Sequence, residues 1–400
     1  MTYKSSLNKL QNFALYLLFF SVPFERWKPF NTDVDFLVTK ITVIFYLFTV
    51  LFEFGFFFSF KKYKKVFLPI LIYFSILTVV SFINKGAISY PFFDVLLFLN
   101  ILLFVLGTNH FSRDPRVIYK CFLAFMLSAF LLTVFYFLNI EIDNSLDGRI
   151  SILGDNQNNI GLNLTCAIFM VASLIFENKS GWGINRLMLI LLLPFLFFVM
   201  VITGSRLAFL SSFLGLLSFF LLWKSKSAAR KIVIVIVGFL VVGSVFADLA
   251  TNEIIASRLS GSLSSGDLGD RDYLWVLILP LILDSPVIGI GITGYVNQME
   301  ILFGSIGMVS PHNGIIEALC YTGAVGTAFL LLFIFRLWKR ASMTKDQNNE
   351  ILPVILFIPI IGILLTGQIF ESKIIWLIFA YVASGGYINK PVITKKSNNI

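Results

Sequence analysis

The chain is 400 residues long, 58% hydrophobic and only 13% charged, with a mean hydropathy of +0.88; soluble globular domains carry about 25% charged residues, so a water-soluble enzyme is excluded. Its 31 Lys and Arg against 22 Asp and Glu leave a net charge of +9, a surplus that membrane topology accounts for without a nucleic-acid partner. Cys121, Cys166 and Cys320 stand far apart inside apolar runs, which gives neither a disulfide framework nor metal-ligand spacing, and no metal or cofactor is expected.

In chain order, runs apolar enough to cross about 30 Å of hydrocarbon fall at 10–24, 36–60, 66–83, 92–111, 117–140, 159–176, 187–203, 207–223, 232–250, 313–335, 351–367 and 369–388. They predict an all-α integral membrane protein of about 12 transmembrane helices, forming one domain over 1–400. The first run, LQNFALYLLFFSVPF, lacks an A-x-A-like cleavage site and reads as a helix rather than a signal peptide. The 187–223 region would extend about 55 Å as a single helix, so it must fold back near ITGSRLA, with Gly204 and Ser205 at the break. With both termini inside, 22 of the 31 Lys and Arg fall on cytoplasmic segments such as KKYKK (61–65) and RLWKRASMTK (336–345), the asymmetry that the positive-inside rule requires. These basic clusters are solvated or face anionic membrane lipid. The run LWVLILPLILDSPVIGIGI (274–292) is ambiguous. Counting it as a span would move RLWKR outside, and Pro280, Asp284 and Pro286 interrupt it. It predicts a helix at or partly in the outer interface, within a large extracytoplasmic loop over 251–311.

The arginines assigned to the outer side, Arg26, Arg149, Arg206, Arg258 and Arg271, are the exceptions to the charge rule. Arg206 is the sharpest, because it sits at the tight turn between two apolar helices, where an ionisable group tends to face a cavity or a partner. Each has a plainer reading. Arg206, Arg26 and Arg149 can snorkel to headgroups, Arg271 can pair with Asp270 or Asp272, and Arg258 can solubilise its loop. His312 opens the tenth run in SPHNG, where unpaired backbone N–H groups and the positive end of a helix favour an anion. An imidazole there can take a proton from a hydroxyl, or can simply be held by a capping hydrogen bond. His110, beside SRDPR at the other end, has no catalytic company. Guanidinium groups that grip phosphate oxygens bidentately, with a base on the same face, suit glycosyl or phosphoryl transfer from a lipid diphosphate outside the cytoplasm. GIGITG (289–294) satisfies G-x-G-x-x-G but follows no strand of a βαβ unit, so its glycines are assigned to tight turns.

Three segments in order, ITGSRLAFLSSFLGLL (202–217), RDYLWVLILPLILDSPVIGIGITGY (271–295) with its Asp-x-Pro-x-x-Gly-x-Gly pattern, and HNGIIEALCYTGAVG (312–326), carry a likeness. The chain resembles the O-antigen ligase and polymerase superfamily of bacterial membrane glycosyltransferases that use undecaprenyl diphosphate; the N-terminal half agrees only in hydropathy. The resemblance implies a metal-independent transfer in the bacterial cytoplasmic (inner) membrane, with the active site on the extracytoplasmic face. Arg206 and Arg271 would hold the donor diphosphate and His312 would activate the acceptor hydroxyl, with Arg149, Arg258, Asn313 and Glu317 as further substrate-binding residues. Where members often carry an acidic residue, Tyr321 stands here, with Glu317 one turn earlier; Glu317 either orients His312 or is a buried, paired carboxylate.

The leading expectation is a ligase that moves a glycan from undecaprenyl diphosphate to a glycan or lipid A-core acceptor. A polymerase joining lipid-linked repeat units is the alternative, since both use one donor. A secondary transporter or lipid flippase is a third reading, disfavoured because the informative charges cluster at one face and no repeat relates the halves, although Glu53 and Lys120 lie near helix ends.

Overall fold

A computed structural model describes residues 3–29, 37–84, 91–144, 149–177, 186–223, 271–303, 310–366 and 369–385. The apolar runs become helices because their backbone groups can be satisfied only within the run itself once lipid replaces water. In chain order these are α1 (Tyr3–Ser21), α2 (Val38–Leu51), the single turn α3 (Phe54–Phe57), α4 (Lys64–Ile83), α5 (Pro91–Arg113), α6 (Arg116–Phe137), α7 (Gln157–Phe176), α8 (Arg186–Ile202) and α9 (Arg206–Leu222). They continue as α10 (Arg271–Asp284), α11 (Gly291–Phe303), α12 (Gly314–Asn348), α13 (Leu352–Ile355), α14 (Phe357–Thr366) and α15 (Lys373–Ser384). Among the described residues, five helices are long and apolar enough to cross a membrane, namely α4, α5 from Val95, α6, α7 and α12. Several shorter apolar helices accompany them, as expected of a multi-pass membrane protein.

Cross-helix contacts fix which ends lie together. Arg336 of α12 donates to the carbonyl of Lys65 at the start of α4, Tyr63 reaches the carbonyl of Ser384 at the end of α15, and Arg113 at the end of α5 pairs with Glu53 just after α2. This is the basic end. At the other end, Lys373 at the start of α15 pairs with Glu25 just beyond α1, and Arg26 lies 3.5 Å from Glu371. Asn100 of α5 donates to the carbonyl of Phe370 there at 2.8 Å. Glu53, one of the charges compatible with a transporter, is therefore half of an ion pair beside the basic end.

The structure departs from the sequence reading in places. The run 36–60 is interrupted after α2, the run starting at 313 continues to Asn348, and 351–367 is divided between α13 and α14. A two-stranded antiparallel hairpin, β1 (Ile142–Asn144) and β2 (Ile150–Ile152), interrupts the all-α pattern. The 232–250 run, and Arg258 with the rest of 224–270, lie outside the described residues.

The largest correction concerns 274–292. The sequence predicts one helix at the outer interface; the structure has α10 and α11, with the turn between them docked against the interior of α12. At Gly323 the backbone of α12 is not helical (φ 59°, ψ −165°). The amides of Ala324 and Val325, displaced from the helical ladder, donate instead to the carbonyls of Pro286 (2.8 Å) and Val287 (3.1 Å). The carbonyl of Cys320 accepts from Ile290 at 2.8 Å. Gly323 lies nine residues beyond the start of α12, so the turn reaches about 14 Å along the bundle at 1.5 Å per residue. The start of α10 stays at the start of α12, since the indole of Trp275 donates to the carbonyl of Pro311 at 2.8 Å. The amide of Ile292, at the start of α11, donates to Ser81 in the last turn of α4 at 2.9 Å.

Gly323 occupies a region of φ/ψ space that only glycine visits without strain, and a Cβ there would strike the backbone of Val287. Gly323→Ala should therefore cost at least about 1 to 3 kcal/mol from the backbone alone, read as a lowered thermal midpoint in detergent. Gly55→Ala, with nothing within 4 Å of its Cβ, should leave the midpoint in place.

Candidate active site

The end of the bundle opposite the basic end gathers most of the sequence-predicted residues. Arg206 is the first residue of α9, and its side chain is exposed. The turn before it is built by Gly204 (φ 65°) and by Ser205, whose hydroxyl caps α9 by accepting from the amide of Ala208 at 3.4 Å. That hydroxyl also donates to Oδ1 of Asn158 in the first turn of α7, at 3.1 Å. Asn158 Oδ1 receives a second donor, Nη2 of Arg149 just before β2, at 3.4 Å. One amide oxygen thus joins the β hairpin that carries Arg149 to the cap that precedes Arg206.

The second part of the site is the start of α12. Asn313 is its cap and accepts from the amides of Ile315 (3.0 Å) and Ile316 (3.2 Å). His312, immediately before the cap, is half-exposed and has a positive φ of 50°, uncommon for a residue with a side chain. Its amide donates to the hydroxyl of Ser310 at 3.1 Å, and that hydroxyl donates to Oε1 of Glu317 at 2.6 Å. Glu317 is buried, only 5% exposed. Glu317 is thus a buried carboxylate that accepts from the Ser310 hydroxyl, the same hydroxyl that accepts from the backbone amide of His312. Tyr321 is buried and packs its ring edge-on to that of Tyr295 on α11, with centroids 5.4 Å apart.

The two helix starts flank the same short helix. Leu207, next to Arg206, packs onto Gly362 of α14, and Gly314 packs against Leu364 of the same helix. Arg206 and His312 consequently stand at the same end of the bundle. Arg271 is the first residue of α10, four residues before Trp275, so its backbone belongs to this end as well. Its side chain and Arg258 lie outside what the structure describes.

Sequence reasoning missed Asn158, Ser310 and Asp155. The amide-rich QNNIGLNLT at the start of α7 was the available signal for the first. Asp155, just before α7, is buried (3% exposed) and accepts from the amide of Asn156 (2.8 Å) and from Nδ2 of Asn159 (3.2 Å). Burial pushes its carboxyl up to about 6, with the Glu25 carboxylate adding to the rise while the Asn159 hydrogen bond and Arg26 oppose it. Glu371 is likewise pushed upward, chiefly by burial. Arg26, expected among the outward arginines, is the partner of Glu371 and is 52% exposed.

Residues 187–331, from α8 into the first half of α12, match the family model described as O-antigen ligase. The matched stretch contains Arg206, Arg258, Arg271, His312, Asn313 and Glu317, whereas Arg149 and Asn158 precede it. No curated protein matches the chain.

Because the Asp155 carboxyl is raised in the folded protein, its contribution to stability is complete below the unfolded value near 4 and is lost as pH rises through about 6. The thermal midpoint of the wild type should fall between about pH 4 and pH 6, by the equivalent of up to about 3 kcal/mol. In Asp155→Asn, which keeps an acceptor but cannot ionise, that fall should shrink.

Proposed function

We propose, from the match of residues 187–331 to the O-antigen ligase model, that this membrane protein is a glycosyltransferase that takes a glycan from a lipid diphosphate and joins it to an acceptor hydroxyl. What supports the reading above all is that Arg206 and His312, distant in sequence, begin two helices that flank α14 at the end of the bundle away from the basic clusters. By the positive-inside rule that end faces away from the cytoplasm, which puts the reaction on the outer face of a bacterial cytoplasmic membrane, with about 12 helices crossing it. The donor there is undecaprenyl diphosphate-linked glycan and the acceptor a lipid A-core or comparable sugar.

In the proposed step the imidazole of His312 takes the proton from the acceptor hydroxyl as its oxygen attacks the anomeric carbon. The bond from that carbon to the diphosphate breaks, and the bond electrons leave with the diphosphate. Arg206 at the start of α9, with Arg271 at the start of α10, neutralises the charge that develops there. The first turn of α9 adds its own positive dipole end to the guanidinium of Arg206. Arg149, tied to Asn158, and Arg258 extend the anionic subsite, while Asn313 and Glu317 keep His312 in place. The strained backbone at His312 fits this role, because such conformations persist where surrounding bonds over-determine them.

A ligase is the form of this chemistry that the domain match names; a polymerase would use the same donor and a different acceptor. A transport reading draws no support from the broken α12. Transporters use the free carbonyls and amides of broken helices to hold ions, whereas those of Cys320, Ala324 and Val325 are taken by the α10–α11 turn.

His312→Ala should lower glycan transfer in membranes by about 10² to 10⁴-fold while the protein accumulates normally, which a radiolabelled lipid-diphosphate donor can measure. Arg206→Lys keeps the charge and loses the bidentate fork, so a loss on the order of 10²-fold in kcat is expected. Gels of surface glycans from a deletion strain separate the acceptors. Complete loss of attached polymer with lipid-linked chains accumulating identifies a ligase, while one repeat unit still attached identifies a polymerase.

A further inference from the structure

A second built feature lies at the basic end, far from Arg206 and His312. A cavity of about 450 Å³ opens between the α2–α4 connection and the last turn of α5, lined by Phe56, Ser59, Lys62, Asn109, Ser112 and Arg113. Its walls are held by hydrogen bonds. The Asn109 amide donates to the carbonyls of Phe57 (2.8 Å) and Ser59 (3.2 Å), which pins the connection onto α5. Arg113 is fixed by Glu53 and by Asn8 at 2.6 Å, with its guanidinium over the ring of Phe56. Lys62 is exposed and donates to the Ser112 hydroxyl at 2.6 Å. That contact uses one of the three ammonium donors and leaves the hydroxyl proton of Ser112 to point elsewhere. Lys61, Lys64 and Lys65, all exposed, are its neighbours in the chain.

The other half of the feature is apolar. Phe52, Phe54, Phe56 and Phe58 are 55%, 42%, 48% and 36% exposed, on the connection that carries the cavity. A row of exposed rings beside a cluster of lysines is what an amphiphile with an anionic head and hydrocarbon tails would cover on both counts. A free phosphate would leave the rings bare, and a polyanion such as nucleic acid would gain nothing from them.

We propose that the basic end binds an anionic phospholipid, with its headgroup phosphate in this cavity on Lys62 and Ser112 and its acyl chains along the exposed phenylalanines. The lipid would clamp the α2–α4 connection to the end of α5 and anchor the end of the bundle opposite the glycan chemistry. The inference stands on this geometry alone and does not require the transferase reading.

The test is native mass spectrometry of the purified full-length protein offered equal phosphatidylglycerol and phosphatidylcholine of the same chain length. Wild type should retain phosphatidylglycerol in preference. Lys62→Glu should lose about 5-fold or more of that retention, since a basic group near an anionic headgroup is worth about 1 kcal/mol. Lys339→Glu, the same charge change at an exposed basic-end site outside the cavity, should keep it. Ser112→Ala should weaken retention without any change of charge, and supplies the answer if Lys62→Glu fails to fold. Equal retention of the two lipids would overturn the proposal, as would equal losses in Lys62→Glu and Lys339→Glu. Displacement of the lipid by millimolar inorganic phosphate would overturn it in favour of a free-phosphate site.

Discussion

The fold is organised around the hydrogen bonds that cross the break in α12. In a lipid environment each unsatisfied backbone group costs several kcal/mol, so a helix can be interrupted there only where another piece of protein supplies donors and acceptors. The Pro286, Val287 and Ile290 backbone does this for Ala324, Val325 and Cys320. The turn can come that close only because Gly289 and Gly323 lack side chains; a Cβ on Gly289 would lie 2.6 Å from the carbonyl of Cys320 and from the amides of Thr322 and Gly323. Once the turn is seated, α10 must lie along the first half of α12, and Trp275 meets Pro311. The segment that carries Arg271 and the segment that carries His312 are thereby held together by backbone bonds well below both.

A second set of constraints acts at the helix starts. The hydroxyl of Ser205 serves both the amide of Ala208 and the side chain of Asn158, and that of Ser310 serves both the amide of His312 and Glu317. In each case a serine one or two residues before the candidate functional side chain ties it to a buried or half-buried group on the scaffold. This keeps the candidate side chains at turns, while apolar helices set their spacing. The cost is a carboxylate at Glu317 buried one turn into α12, and it is acceptable only while the Ser310 hydroxyl faces it.

Most of the helices were legible in the sequence because hydropathy and the distribution of Lys and Arg are properties of single segments. The turn at Gly204 and Ser205 was legible for the same reason, since one helix of 37 residues would be too long. The α10–α11 turn was not. Pro280, Asp284 and Pro286 correctly argue against a continuous span, but whether such a segment lies on the surface or folds inward is decided by a partner, and that partner is a single glycine some forty residues away. Glu317 was ambiguous for the same kind of reason. Its role depends on Ser310, whose hydroxyl donates to the carboxylate while its oxygen accepts from the backbone amide of His312, and sequence spacing cannot show which partners a serine takes. Arg149 entered only as an exception to the charge rule, and its link to Asn158 required two elements to meet.

The separation of the two ends follows from the same electrostatics. Near the basic end Arg113 pairs with Glu53, Arg336 reaches a backbone carbonyl, and the lysines of KKYKK stand exposed. At the other end, Arg26 and Lys373 are taken up by Glu371 and Glu25, and Arg149 rests on a neutral amide. Arg206 is exposed at the start of a 17-residue helix, where its guanidinium and the helix dipole have the same sign. A guanidinium beside the N–H groups of a helix start concentrates positive character at this end of the bundle, the character that an anionic group would meet.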